Sequence, residues 1–168
     1  MDYISEFYQG FEDAVYAQDE NGNYTGVNAA GKHYYDYVDK ESLVKTFVLQ
    51  ELGKNCDGFR YSQFFYYSNG KLFVGPIWDQ EMTFGTGWGG YSDPSTMTYF
   101  DLGEALIRIP DFEKAVREYY NSTFRAAAGG LENSVNAHYA KLSDSAAMNY
   151  VMWPYIRVGN PDAAGHIW

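Results

Sequence analysis

The sequence predicts an α+β fold that is mostly helical and has a central β-hairpin. Two observations predict the helices: apolar residues recur every three or four positions both near the N-terminus and through the C-terminal half. A third predicts the hairpin, because Asn69-Gly70 separates two aromatic, β-prone runs. The length of 168 residues is that of one domain. Residues 1–168 are therefore expected to form a single domain.

The N-terminal elements follow from hydrophobic spacing and turn residues. Residues 4–16 have a helical apolar face, and 18–33 are glycine- and asparagine-rich, as in a polar loop. Tyr34–Val38 reads as a short extended run. Asp39 is a good N-cap for a helix over about 40–53. The residues expected on its buried side are Leu43, Val44, Phe47, Val48 and Leu52.

The clearest strand signal comes next. Tyr61–Tyr67 and Lys71–Trp78 flank the Asn69-Gly70 turn, where both central residues need a positive φ. A glycine-rich stretch over 85–98 follows the hairpin. A loop this long in a compact domain is typical of a functional or mobile segment.

The C-terminal half is predicted to contain four helices. The first covers 102–109 and stops at Pro110, and the second begins at the Asp111 cap and ends at Gly129 and Gly130. Residues 131–142 and 143–153 are predicted as the third and fourth, the last stopped by a proline.

Composition excludes several function classes. The net charge of −10 disfavours nucleic-acid binding through a basic face, because an acidic chain repels phosphate. No apolar run approaches the ~20 residues of a membrane span. Cys56 is the only cysteine, so an internal disulfide and a cysteine-based zinc site are excluded.

The carboxylates around the hairpin are the best candidates for chemistry. Asp57 precedes the hairpin and Asp79 and Glu81 follow it, so folding of the hairpin brings both ends to one edge. Carboxylates placed together suit a hard cation such as Mg²⁺. The alternative is structural, with Asp57-Gly58 as a turn and Asp79 as a helix cap.

Phosphoryl transfer needs the same groups. One acid accepts or orients the hydroxyl, and an Asn and a second acid hold the metal. Asp57, Asn55 and Asp79 are the candidates for these three roles.

The linked blocks also carry a family resemblance. Two blocks, in this order and spacing, resemble the core of the spore coat protein H (CotH) kinase family. They are Glu51-Leu52-Gly53-Lys54-Asn55-Cys56-Asp57-Gly58 and Gly75-Pro76-Ile77-Trp78-Asp79-Gln80-Glu81. With the flanking helices the resemblance covers about 34–153. It implies the C-terminal lobe of an atypical protein kinase-like fold that uses ATP with Mg²⁺ or Mn²⁺ to phosphorylate a protein acceptor.

The resemblance also implies roles for particular residues. Asp57 matches the catalytic-loop aspartate and Asp79 the metal-binding aspartate. Asn55 and Glu81 are expected beside the metal; Glu81 stands where the family usually has Asp. Trp78 and Arg60 are the candidates for cofactor binding. Trp78 either stacks on adenine or packs in the core.

The resemblance sets two further expectations. The nucleotide-contacting N-terminal lobe is expected to be missing from this chain, which alone could then be inactive. By resemblance, the protein is bacterial, in a spore coat or secreted to the cell surface, with a possible link to cell-wall or plant polysaccharide.

A non-catalytic binding module for carbohydrate is the alternative function. Aromatic residues make up 19% of the chain, and Trp88, Tyr91 and Tyr99 surround the glycine-rich loop. Exposed rings of this kind stack on sugars. An aromatic core explains the same composition.

Overall fold

The computed structural model describes residues 3–55, 57–81, 83–84 and 101–153. The fold is α+β with helix dominant, as predicted. The chain divides into two compact units, Met1–Phe124 and Arg125–Trp168. The single-domain organisation stays a prediction. The first unit contains the hairpin and the two acidic blocks that flank it, residues 51–58 with Asp57 and residues 75–81 with Asp79 and Glu81.

The first helix, α1 (Tyr3–Val15), confirms the predicted element near the N-terminus. Its apolar face packs on the hairpin through aromatic rings. Phe7 meets Tyr67 edge-on at 5.3 Å between centroids, and Phe11 meets Phe65 at 5.8 Å. The loop that follows contains two isolated bridges, Gln18–Tyr24 and Val27–His33.

The extended run predicted over 34–38 is wrong for all but its last residue. Tyr34–Tyr37 forms a short helix, α2, because His33 and Asp36 make a capping box: the His33 side chain accepts from a backbone N–H, and Asp36 accepts from the His33 N–H. Only Val38 is extended, and it bridges to Leu72 of the hairpin.

The helix predicted over 40–53 is confirmed as α3 (Lys40–Gly53). The Asp39 carboxylate accepts from the Ser42 backbone N–H at 2.8 Å, which is the predicted N-cap. The Ser42 hydroxyl in turn accepts from the Val74 N–H at 3.2 Å. The cap therefore fixes the start of α3 against the end of the hairpin.

The hairpin is confirmed, with strands shorter than predicted: β1 (Phe65–Ser68) and β2 (Lys71–Val74). The strands are antiparallel, with Phe65 opposite Val74 and Ser68 opposite Lys71. Asn69 and Gly70 have φ of 51° and 78°, as a two-residue hairpin turn requires.

The C-terminal helices differ from the prediction at their boundaries. Helix α4 is Leu102–Ile107, and α5 (Pro110–Tyr119) begins with Pro110 at its first turn rather than after it, a position where the missing N–H is not needed. A π-helical turn, Tyr120–Phe124, separates α5 from α6 (Arg125–Ala128). The two helices predicted over 131–153 are one, α7 (Leu131–Met152).

Asp111 does not cap α5, since the residue before the helix is Ile109 and makes no side-chain cap. The Asp111 carboxylate instead accepts a hydrogen bond from the Tyr34 hydroxyl at 3.4 Å and lies 3.7 Å from the His33 Nε2.

The core of the first unit lies between α1, α3, α4, α5 and the hairpin. Its fully buried side chains include Phe11, Tyr34, Leu43, Phe47, Leu106, Ile109 and Phe112.

Two further predictions concern a membrane span and the glycine-rich loop. Among the described residues, none of the helices is both long and apolar enough to cross a bilayer. The glycine-rich loop over 85–98, with Trp88, Tyr91 and Tyr99, lies outside the described residues.

Candidate active site

The loop that carries Asp57 is built around the backbone of that residue. The Asp57 carbonyl accepts three backbone hydrogen bonds, from Arg60, Tyr61 and Ser62, at 3.1, 3.0 and 3.0 Å. The chain therefore turns tightly before it enters β1. In the described part of the chain, no side chain or backbone group donates a hydrogen bond to the Asp57 carboxylate, which leaves that group available for a ligand.

Asn55 joins this loop to the segment that carries Asp79. Its side chain is 2% exposed, and its amide oxygen accepts from the Asp57 N–H at 3.1 Å. Its amide nitrogen donates to the Asp79 carbonyl at 3.4 Å. Both polar ends of Asn55 are thus engaged with the two acidic blocks. Its predicted role as a metal ligand stays a prediction, and a metal would have to compete for the amide oxygen.

The Asp79 backbone adopts a left-handed conformation with a φ of 59°. This conformation is uncommon outside glycine and persists where surrounding contacts impose it. The Ser62 hydroxyl donates to the Asp79 carboxylate at 3.3 Å. Beyond Asp79, the Phe84 N–H donates to the Gly53 carbonyl at the end of α3 at 2.6 Å. These contacts fold the segment after the hairpin back toward the Asp57 loop.

Asn55 and Ser62 each contact both the Asp57 loop and Asp79, and Glu81 follows Asp79 by two residues. A hydrogen bond shared with Asp79, together with the negative charges of Asp79 and Asp57, raises the pKa of the Glu81 carboxyl. A raised pKa is the direction that neighbouring negative charges produce in a carboxyl group. The segments before and after the hairpin therefore meet through Asn55 and Ser62. The use of Asp57, Asp79 and Glu81 as site residues stays a prediction.

The donor chemistry of this cluster fits a hard divalent cation. All three side chains offer oxygen ligands. Within the described ranges, no set of three or more His, Cys, Asp or Glu residues has the arrangement of a complete metal site. Mg²⁺ does not need one, because it is typically held by one or two carboxylates together with waters and substrate phosphates.

The predicted cofactor-binding residues lie at the rim. Trp78 is 57% exposed, so core packing is wrong for this residue. Its ring meets Phe64 edge-on at 6.0 Å between centroids. Arg60 lies over the Tyr61 ring and 3.6 Å from the Asp101 carboxylate. A nucleotide-binding role for Trp78 and Arg60 stays a prediction.

Two buried residues at this site were missed by sequence reasoning. Ser62, 5% exposed, bonds to both acidic blocks. Gln50, 3% exposed, lies under the Asp57 loop: a Cβ added to Gly58 would come within 2.6 Å of its side chain. The position of Gln50 on the buried side of α3 is the one sequence signal that could have indicated its role. The sequence around Ser62 carries no such signal, because its partner Asp79 is 17 residues away.

Comparison with known proteins identifies one family. The family model described as CotH kinase protein matches residues 2–165, nearly the whole chain and more than the motif-bearing segment alone. No curated protein matches the chain. No solved structure matches it either.

Proposed function

Because the chain belongs to the CotH kinase family, we propose that it contains the metal- and ATP-binding site of a protein kinase and transfers the γ-phosphoryl group of ATP to a protein hydroxyl. The observation that carries the proposal is that Asn55 and Ser62 each bond to both the Asp57 loop and Asp79 at the open end of the hairpin. Phosphoryl transfer depends mainly on positioning and on stabilisation of charge, which acidic residues on tied loops can provide.

In this proposal Asp57 acts on the acceptor. Its carboxylate orients the acceptor hydroxyl and takes its proton as the oxygen attacks the γ-phosphorus. The bond from the γ-phosphorus to the β,γ-bridging oxygen breaks, and ADP leaves with the electron pair. The absence of a described hydrogen-bond donor to the Asp57 carboxylate supports this role, because a base must have a free lone pair.

Asp79 and Glu81 are the residues that would hold the cation. A divalent cation bound there would offset the negative charge of the phosphates. Asn55 keeps the two loops in register through its bonds to Asp57 and Asp79. Trp78 offers an exposed aromatic face beside Asp79 on which an adenine could stack.

The proposed fold is the C-terminal lobe of an atypical kinase-like domain. Its support is the hairpin between two acidic blocks, packed on helices α1 and α3. The acceptor is proposed to be a protein, by family, and the site of action a bacterial cell surface or spore coat.

The test is a transfer assay with γ-³²P-labelled ATP, casein as acceptor, and Mg²⁺ or Mn²⁺. We expect incorporation by the wild-type chain and a loss on the order of 10²–10⁴-fold in Asp57→Asn, the range for removal of a general base. As a control, the melting temperature of Asp57→Asn is compared with that of the wild type to verify that the variant is folded. Equal incorporation by wild type and variant would overturn the role of Asp57.

A further inference from the structure

Ser62 occupies the junction of the two acidic blocks. Its backbone N–H donates to the Asp57 carbonyl at 3.0 Å, and its hydroxyl donates to the Asp79 Oδ2 at 3.3 Å. The residue is 5% exposed, although Asp79 itself is exposed. One buried residue outside both blocks thus contacts the backbone of the first and the carboxylate of the second.

The contact restricts an otherwise mobile group. The Asp79 carboxylate sits on an exposed segment with a left-handed backbone, and its backbone carbonyl is held by Asn55. That backbone bond does not orient the carboxylate, and the hydrogen bond shared with Glu81 comes from the same short segment, so it does not fix the carboxylate against the Asp57 loop. The Ser62 hydroxyl uses one lone pair of Oδ2, and the hydrogen bond shared with Glu81 uses another position of the carboxylate; lone pairs remain for other partners. The carboxylate is therefore oriented without being fully occupied.

We propose that Ser62 is a positioning residue, which holds the Asp79 carboxylate in the orientation that binds the divalent cation. The inference rests on the proposed function, because it gives a role to a residue that touches neither nucleotide nor acceptor. Residues that hydrogen-bond to a metal-ligating carboxylate fix its direction, and their loss typically weakens metal binding 10–100-fold.

The first test is calorimetric titration of Mn²⁺ in the presence of ATP. Ser62→Ala should weaken Mn²⁺ binding by about 10–100-fold, and Ser62→Thr, which keeps the hydroxyl, should restore most of it. Ser68→Ala is the matched control: Ser68 lies in β1, and its hydroxyl has no hydrogen bond among the described residues. Wild-type affinity in Ser62→Ala would overturn the proposal.

Kinetics separate positioning from general loss of structure. In the transfer assay, Ser62→Ala should raise the Mn²⁺ concentration needed for half-maximal rate, and excess Mn²⁺ should return kcat to near the wild-type value. A lowered kcat that excess Mn²⁺ does not restore would contradict a role through metal binding. If Ser62→Ala does not fold, Ser62→Cys replaces it, since a thiol keeps the side chain but donates only weakly.

A metal-free double-mutant cycle distinguishes failure of this inference from failure of the proposed function. Ser62→Ala should lower the melting temperature of the apo chain by a few degrees, and it should lower it much less in an Asp79→Ala background. Additive effects would overturn the contact itself. Coupled effects with no Mn²⁺ binding by the wild-type chain would overturn the proposed function and the metal-binding part of this inference, and would leave the contact established.

Discussion

The side-chain amide of Asn55 donates a hydrogen bond to the backbone carbonyl of Asp79, 24 residues further along the chain, at 3.4 Å. Its oxygen accepts the Asp57 N–H at the same time. A single buried amide therefore sets the separation of the two acidic blocks. Asn55 therefore has a structural role, which is separate from its predicted role as a metal ligand.

Replacement of Asn55 should destabilise the chain. Asn55→Ala removes both hydrogen bonds and leaves the Asp57 N–H without its partner, which costs about 1–3 kcal/mol for a buried group. Urea denaturation measures the change in the free energy of unfolding. Asn21→Ala is the control, because Asn21 is exposed and its own N–H bond to Asp19 is kept. A loss no greater than that of the control would contradict the role of Asn55.

Gly58 is expected to be required for close packing rather than for an unusual φ. An added Cβ would lie 2.6 Å from the Gln50 Cδ and 2.8 Å from its Oε1. Gly58→Ala should therefore lower the free energy of unfolding by about 1–3 kcal/mol, the usual cost of overpacking. In a Gln50→Ala background the clash is absent and the same substitution should cost much less. Equal costs in both backgrounds would show that the contact is not responsible.

The local elements of the fold could be predicted where a short signal decides them. Asp39 as an N-cap and Asn69-Gly70 as a turn specify α3 and the hairpin within a few residues of sequence. The Tyr34–Tyr37 helix was missed because its aromatic residues favour a strand, and the His33–Asp36 capping box prevailed over that preference. Proline is compatible both with the end of one helix and with the first turn of the next, so the sequence alone does not decide the role of Pro110.

The site was predictable in part. The proximity of the Asp57 loop and Asp79 could be predicted because a hairpin brings its two ends together, whatever its side chains are. Ser62 and the link from Asn55 to the Asp79 carbonyl could not be found this way. Their partners are distant in the sequence, and neither a serine nor an asparagine in a turn carries a local signal of what it contacts.

Tyr8 should make the chain sensitive to alkaline pH. Burial, with the negative charge of Glu12, raises the Tyr8 pKa from 10.0 to about 12. Because the folded-state pKa is raised, the contribution of Tyr8 to stability is complete below pH 10 and is lost as pH rises through about 12. Tyr8→Phe should lose less stability than wild type between these two pH values. Urea denaturation across this pH range measures the free energy of unfolding of both proteins. Equal losses in wild type and Tyr8→Phe would contradict the raised pKa of Tyr8.

Asp79 and Glu81 should contribute unequally to metal binding. Asp79 is held by Ser62 and Asn55, whereas Glu81 is fixed to the cluster by its hydrogen bond with Asp79. Asp79→Ala should abolish Mn²⁺ binding in the presence of ATP, and Glu81→Gln should weaken it by about 10-fold. Calorimetric titration compares the two. A larger loss in Glu81→Gln than in Asp79→Ala would reverse the proposed order.

The most direct test of the acidic site is a thermal-shift titration with ATP, with and without Mg²⁺ or Mn²⁺, on the wild-type chain and Asp79→Ala. A ligand that binds only the native state stabilises it by about 2.7 kcal/mol at 100 times its Kd. We expect a rise in melting temperature that requires both ATP and metal and is lost in Asp79→Ala. No metal-dependent rise in wild type, or the same rise in a folded Asp79→Ala, would contradict it.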